Sequence, residues 1–234
     1  MNAPQQPEEL TRTLPTGAKP SGYSLALNFL PLLHLLAGAG VLWFVDGALA
    51  RIGAALAWVY ILPPLAGRVA MALFGAPQGE GLDQEARAYK VWWFLTQLQV
   101  LFNRFGFLEE LLRMVPGLYA LWLNAWGARV SPVVYWGPGA VVVDRQAARI
   151  GPGAVIGVRA VLSGHLAVKD SSGAFRVTLA PVEIGEGALI GAYAGISPGC
   201  TVAAGEEVPA AAFLRPFTQW TGGRRVKAHR PRLG

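Results

Sequence analysis

The feature that most constrains this chain is an aliphatic residue at every sixth position of its C-terminal half. The positions are Ile150, Ile156 and Leu162, then Ile184, Ile190, Ile196, Val202, Val208 and Leu214. Four positions after most of them stands a small apolar residue: Ala154, Ala160, Ala188, Ala194, Cys200 and Ala212. A six-residue period matches neither a helical turn nor a two-residue strand alternation. It predicts a solenoid in which each hexad forms a strand and a turn, and three hexads close one coil around a narrow core.

The repeat extends towards the N-terminus and contains one break. Val130, Trp136 and Val142 indicate a further, less regular coil, which gives about four to five coils within residues 127–219. Leu162 and Ile184 are 22 residues apart, which is not a multiple of six. Residues 168–183 are therefore expected to leave the coil as a loop, and such loops often carry function.

Two stretches of the repeat resemble the hexapeptide-repeat acyltransferases. They are IGPGAVIGVRAVLSGHL and PVEIGEGALIGAYAGISPGCTV. The resemblance implies a left-handed parallel β-helix, an exception to the usual right-handed crossover. It also implies transfer of an acyl group, commonly acetyl, from coenzyme A to a hydroxyl or amine. In that family a histidine is the general base, and the acyl-CoA lies between neighbouring subunits of a homotrimer. More weakly, MVPGLYALWLNAWGARV resembles the lead-in to such coils in large membrane-associated proteins.

His165 is the candidate general base. It stands in LSGHLAVKD, where the repeat breaks, and the family places its catalytic histidine beside such a loop. An imidazole with a pKa near 6.5 can accept a proton at neutral pH. A solvated loop histidine is the alternative. Glu183, just before the repeat resumes, is a possible orienting residue for the imidazole or an ordinary surface carboxylate.

Further residues are candidates for binding the acceptor and the acyl-CoA. On the extruded loop, the candidates for the acceptor are Lys169, Asp170 and Arg176. On the resumed coils, Ala192, Tyr193 and Ser197 are candidates for the acyl-CoA. The basic tail 220–234 adds Arg224, Arg225 and Lys227, which would bind either coenzyme A phosphates or anionic lipid.

The N-terminal part reads as a membrane anchor. The chain is 53% hydrophobic and only 15% charged, whereas soluble domains have about 25% charged residues. After a flexible arm, 1–22, residues 23–45 carry no charge, and 52–74 carry only Arg68. Both are long enough for a bilayer, so 23–75 is predicted to be a transmembrane helical hairpin. Buried core helices are the alternative. His34, in the first segment, is expected to form a hydrogen bond to the second.

Residues 76–126 form amphipathic stretches that are too short to span. Their tryptophans suit a membrane interface, and helices are expected there up to Pro116. A helical layer packed on the coils is the alternative. The excess of Lys and Arg after residue 75 places the C-terminal domain in the cytoplasm, on the inner membrane of a multi-pass protein.

Taken together, the sequence predicts an α+β protein: a membrane hairpin, interfacial helices and a β-helix. The predicted function is acyl transfer to a glycan, a lipid-linked sugar or a lipid precursor, and the alternative is a non-catalytic trimeric scaffold. The net charge is +6, but no nucleic-acid-binding signature accompanies it. No metal is expected: a carbonic anhydrase built on this coil needs three histidines around zinc, and His34, His165 and His229 are too scattered for that.

Overall fold

The N-terminal segment forms four helices in the computed structural model, which describes residues 21–227. They are α1 (Gly22–Leu27), α2 (Leu30–Trp43), α3 (Ala48–Tyr60) and α4 (Leu62–Phe74). Together they make two rods, Gly22–Trp43 and Ala48–Phe74, each long and apolar enough to cross a membrane. Only 6% and 11% of their most apolar windows are buried. The protein's own core therefore leaves most of this apolar surface uncovered.

The two rods contact each other at His34. Its ring stacks on Trp58 with the centroids 5.3 Å apart, and Trp58 Nε1 donates to the His34 carbonyl oxygen at 3.0 Å. Gly38 permits this approach, because a Cβ there would lie 2.6 Å from the indole nitrogen. The expected hydrogen bond between the segments is thus made by the His34 backbone.

The next segment packs as a layer against the coils. After β1 (Gly79–Leu82) come α5 (Arg87–Arg104), α6 (Phe107–Arg113) and α7 (Leu118–Ala125). Several of its large aromatic side chains are buried: Trp92, Phe102, Tyr119, Trp122 and Trp126. α5 also packs against α1, α2 and α4. Helices were expected to end at Pro116, but α7 lies beyond it and leads directly into the first coil.

The repeat then forms short strands. The first two coils contain β2 (Arg129–Val130), β3 (Tyr135–Trp136), β4 (Val141–Val142), β5 (Ala148–Ile150), β6 (Val155–Ile156) and β7 (Val161–Leu162). A hairpin follows, formed by β8 (His165–Lys169) and β9 (Phe175–Leu179). The next two coils contain β10 (Val182–Ile184), β11 (Leu189–Ile190), β12 (Gly195–Ile196), β13 (Thr201–Val202), β14 (Glu207–Val208) and β15 (Phe213–Leu214).

Equivalent strands of successive coils pair in parallel and form three sheets. The first contains β2, β5, β10 and β13, the second β3, β6, β11 and β14, and the third β4, β7, β12 and β15. Ile150 lies opposite Val130 and Ile184, so the six-residue positions are in register. The aliphatic positions from Ile150 to Leu214 are at most 3% exposed. The left-handed sense of the coil stays a prediction of the resemblance.

The extruded segment is a β-hairpin with different bounds from those expected. It leaves the coil at His165 rather than near 168, and Val182 is already paired with Ala148 in the first sheet. β9 also pairs antiparallel with β1, which makes a three-stranded sheet outside the coil. Val177 and Leu179 pack in one cluster with Tyr89 and Trp92 of α5. The hairpin is therefore held against the helical layer.

The coil continues into the region expected to be a basic tail. β16 (Thr218–Thr221) pairs in parallel with β13, and β17 (Arg224–Lys227) turns back antiparallel on β16. The boundary at residue 220 is thus wrong, because 220–227 belongs to this terminal hairpin. His229 and the rest of the tail lie outside the described residues.

Candidate active site

Two interruptions of the repeat lie at the same corner of the coil. The first is a short insertion after β4, where Val142 and Ile150 are eight residues apart instead of six. The second is the hairpin after β7. That insertion contains a 3-10 turn, Arg145–Ala147, with Asp144 at its start. Both interruptions follow a strand of the third sheet and precede a strand of the first. Because successive coils stack in register, Asp144 and His165 are brought together.

His165 and Asp144 form a hydrogen-bonded pair. His165 Nδ1 lies 2.7 Å from Asp144 Oδ2, the same oxygen that accepts from the Gly164 backbone N–H at 2.9 Å. The Asp144 side chain is 4% exposed, and that of His165 is 26% exposed. An ionised carboxylate accepts the proton of Nδ1, which leaves Nε2 as the basic nitrogen.

The helical layer completes the surroundings of this pair. Trp92 of α5 donates from Nε1 to Asp144 Oδ1 at 2.9 Å, and its ring lies 4.9 Å from the imidazole centroid. The Asp144 carboxylate is thereby bound by three donors, and the imidazole ring contacts the indole ring at a tilt of 54°. Sequence reasoning missed both residues. Asp144 lies in the eight-residue interval between Val142 and Ile150. This departure from the six-residue period is a signal of the same kind as the 22-residue interval that predicted the hairpin.

The pair changes the acidity of the imidazole. Burial lowers the pKa of His165, but the hydrogen bond that it donates to Asp144 and the negative charge of that carboxylate raise it, and the net shift is upward from 6.5. The protonated form of the imidazole is therefore more stable here than in a free histidine side chain. A base of this kind is oriented by its carboxylate and also supported once it has taken a proton.

We expect Asp144→Asn to lower the pKa of His165 to below 6.5. The substitution removes the charge and weakens the hydrogen bond, so the lowering effect of burial is no longer outweighed. The measurement is an NMR titration of the imidazole C–H signals, which is practical because the chain has 3 histidines. The exposed Glu183→Gln serves as the matched control and should leave the titration unchanged. An equal shift in both variants would contradict the assigned pairing.

A groove adjoins His165 on the third sheet. Its volume is about 370 Å³. Its lining includes Ser163, His165, Tyr193, Ser197 and Phe213. Tyr193 and Phe213 are 60% and 56% exposed, so apolar surface borders the groove. His165 thus faces an open groove on the third sheet.

No model of a known protein family matches the sequence, and no curated protein matches it. Among solved structures, the chain is similar to a maltose O-acetyltransferase from Clostridium difficile 630, with 14% identity, a TM-score of 0.25, and 57% of this chain and 90% of that chain covered. It is similar to a galactoside acetyltransferase in complex with coenzyme A, with 13% identity, a TM-score of 0.29, and 71% and 80% covered. It is also similar to a Neisseria gonorrhoeae serine acetyltransferase, with 14% identity, a TM-score of 0.23, and 88% of this chain and 80% of that chain covered.

Glu183 does not orient the imidazole in this structure. It is exposed on β10 of the first sheet, in register with Arg149, whereas the carboxylate bound to His165 belongs to Asp144. The physical reason is the fold of the hairpin: its second strand returns the chain to the coil at Val182. Glu183 therefore takes an outward position on an ordinary coil strand.

The three acceptor-loop candidates lie on the hairpin. Asp170 accepts from the backbone N–H groups of Ser172 and Ala174 and from Arg176 Nε at 2.8 Å. Lys169 lies over the Phe175 ring, 5.3 Å from its centroid. The hydrogen bonds that Asp170 accepts hold its pKa well below its usual range. The largest effect comes from the hydrogen bond that the Ser172 hydroxyl donates to it. In this structure the three side chains shape the hairpin turn.

The coenzyme A candidates are divided between two places. Tyr193 and Ser197 line the groove with His165, and Ala192 is the neighbour of Tyr193 on the same turn. Arg224 and Arg225 are exposed on β17, at the edge of the first sheet, and Lys227 ends that strand. The structure therefore brings Tyr193 and Ser197 into one groove with His165, and the exposed Arg224 and Arg225 are not among the described residues that line it.

Proposed function

We propose that the protein is a membrane-associated acyltransferase that moves an acyl group, acetyl in the simplest case, from coenzyme A to a hydroxyl or amine. One observation carries the proposal: His165 is bound to a buried carboxylate and faces a groove along a parallel coil. The hexapeptide resemblance of the sequence supports the same chemistry. A plain scaffold has no need of a buried carboxylate held by three donors beside a half-buried histidine.

The proposed reaction uses the tautomer of His165 that has the proton on Nδ1 and a free lone pair on Nε2. Nε2 of His165 takes the proton of the acceptor hydroxyl or amine, whose oxygen or nitrogen attacks the carbonyl carbon of the thioester. A backbone N–H stabilises the resulting oxyanion. The carbon–sulfur bond then breaks, and the coenzyme A thiolate leaves with the proton returned by the imidazolium. Asp144 keeps Nδ1 protonated throughout and acts as a positioning residue.

The groove is the proposed site of the acyl-CoA. Its thioester would lie beside His165, with Tyr193 and Ser197 as lining contacts and Ala192 next to them. The exposed apolar rims at Tyr193 and Phe213 would be covered by a neighbouring subunit of a homotrimer. The coenzyme A phosphates would be bound by basic residues of that neighbouring subunit, namely Arg224, Arg225 and Lys227. Alternatively, these residues would bind the membrane. Lys169, Asp170 and Arg176 remain candidates for the acceptor, and no metal takes part.

The acceptor is proposed to be membrane-linked: a glycan, a lipid-linked sugar or a lipid precursor. Two apolar rods with little buried surface would anchor the chain as a multi-pass protein of the inner membrane, with the coil in the cytoplasm. α5 packs against three of the anchor helices, and its Trp92 contacts the base. The catalytic pair is therefore attached directly to the anchored layer, which favours an acceptor presented at the membrane.

The proposal is tested by coenzyme A release from acetyl-CoA. The full-length protein is purified in detergent and supplied with a panel of glycolipids, sugars and lipid precursors. Release that requires both the enzyme and one acceptor class is expected, and it would also name the substrate. Neither release nor calorimetric binding of acetyl-CoA or a longer acyl-CoA would overturn the proposal and favour the trimeric scaffold.

A further inference from the structure

A second cavity lies between α4 and the first sheet. Its volume is about 550 Å³, and it shares no lining residue with the groove of His165. Arg68 of α4 and Arg149 of β5 are its charged lining residues, with Gln78 and Gln146 as its amides. Among the described residues that line it there is no aspartate or glutamate. The cavity therefore has a cationic wall and polar donors.

Arg68 is the first sign of a missing partner. A charged side chain inside an apolar helix of membrane length is costly and is normally paired. Within residues 21–227, however, Arg68 makes no ion pair and no hydrogen bond. Its guanidinium turns towards the coil: Nη1 lies 3.3 Å from where a Cβ on Gly127 would be. The charge is thus aimed at the cavity.

Arg149 brings a second guanidinium to the same glycine. Its Nη1 donates to the carbonyl oxygens of Gln146 and Ala148, each at 2.8 Å, and of Gly127 at 3.4 Å. These bonds fix the group and use one of its three nitrogens. The other two make no hydrogen bond within the described part of the chain and stay available to a ligand.

The surrounding charges are also unbalanced. Arg129 lies in register with Arg149 on the neighbouring strand. Glu183 lies in register on the other side and forms no ion pair with any residue between 21 and 227. Burial, followed by the charge of Arg129, lowers the pKa of Arg149. Like charges on adjacent strands are destabilising. The two guanidiniums that line the cavity, with Arg129 adding positive charge beside Arg149, therefore favour a bound anion.

We propose that this cavity binds a phosphate group of an organic ligand, held between Arg68 and Arg149. The planar guanidinium fork matches phosphate oxygens in pairs, and several donors share the charge. The phosphate could belong to a lipid headgroup or to a free phosphate ester. Val69 also lines an adjoining apolar cavity of about 900 Å³ between α4 and α5, which offers room for an alkyl chain. This site goes beyond the proposed acyl transfer and does not depend on it.

The test is calorimetric titration of the full-length protein in non-ionic detergent, without acyl-CoA. The probes are 1-oleoyl-lysophosphatidic acid, glycerol 3-phosphate and the phosphate-free 1-oleoylglycerol. Both phosphates are expected to bind, and Arg68→Gln should weaken them about tenfold or more, as expected for the loss of a charge-assisted contact. Arg104→Gln removes the same charge from an exposed position outside the cavity and should not weaken binding. Arg149→Lys keeps the positive charge but loses the planar guanidinium fork, and it should also weaken binding of both phosphates.

The arms separate the two sources of phosphate. Tighter binding of the lysophospholipid than of glycerol 3-phosphate assigns the site to a lipid headgroup, and equal binding assigns it to a free phosphate ester. The proposal is overturned if neither phosphate binds, if 1-oleoylglycerol binds as well as the lysophospholipid, or if Arg104→Gln matches the loss seen in Arg68→Gln. Because acyl-CoA is absent, these outcomes are independent of whether His165 is a base.

Discussion

Replacing His165 by glutamine is expected to lower the rate of acyl transfer by about 10²–10⁴-fold, the usual contribution of a general base. Glutamine retains a polar side chain of similar length but cannot take a proton from the acceptor. The loss should appear in kcat with the accepted substrate, while acetyl-CoA binding measured by calorimetry stays close to wild type. The remaining rate would report what positioning in the groove supplies without proton transfer.

The same substitution at His229 is the matched control, because the proposal gives that residue no role. Its rate should equal the wild-type rate. The wild-type rate should also rise with pH through a pKa above 6.5, since the base must be neutral to act and Asp144 raises the pKa of His165. A His165→Gln enzyme with an unchanged rate would remove the histidine from the mechanism.

The repeat itself could be predicted because its information is local. The narrow core requires an inward residue at every sixth position, so neighbouring positions such as Ile150 and Ile156 reveal the strand spacing without any knowledge of the residues around them. The 22-residue gap also revealed that something leaves the coil. The hairpin's bounds could not be obtained in this way, because β9 pairs with Gly79–Leu82, about a hundred residues earlier, and a spacing rule carries no information about such a partner.

The site was only half predictable for a related reason. His165 stood at a visible break, but its carboxylate was sought in the sequence next to the hairpin, at Glu183. In a stacked coil the spatial neighbour is one coil away, which is why Asp144 contacts His165 across 21 residues. Trp92 is more distant still, since it comes from the helical layer. Comparing interruptions at the same corner would have found Asp144, whereas no pattern in the chain points to Trp92.

Asp144 is held in place by a buried charge network that begins at the next residue. Arg145 is 1% exposed, and its Nε donates to Glu109 Oε1 at 2.7 Å. The other oxygen of Glu109 accepts from Tyr119 at 3.0 Å and from Arg113 at 3.2 Å. One carboxylate thus connects α6, α7 and the insertion that carries Asp144.

Glu109→Gln is therefore expected to lower the free energy of unfolding by about 3–5 kcal/mol, as when one partner of a buried ion pair is removed. The charge of Arg145 would remain in the interior without its carboxylate, and burial makes that costly. The measurement is a denaturant titration in detergent, followed by tryptophan fluorescence. Because the insertion loses its ion pair to α6, the proposed acyl transfer should fall as well, although Glu109 does not line the groove of His165.

The neighbouring residue provides the control for this prediction. Glu110 also forms an ion pair with Arg113, but its side chain is 42% exposed, against 5% for Glu109. Solvent screens that pair, so Glu110→Gln should cost only about 0–1 kcal/mol. The two variants remove the same charge from adjacent positions on one helix, but only Glu109 is buried and bound to Arg145. If they lose the same stability, the network does not hold the insertion, and the position of Asp144 must depend on Trp92 and the Gly164 backbone instead.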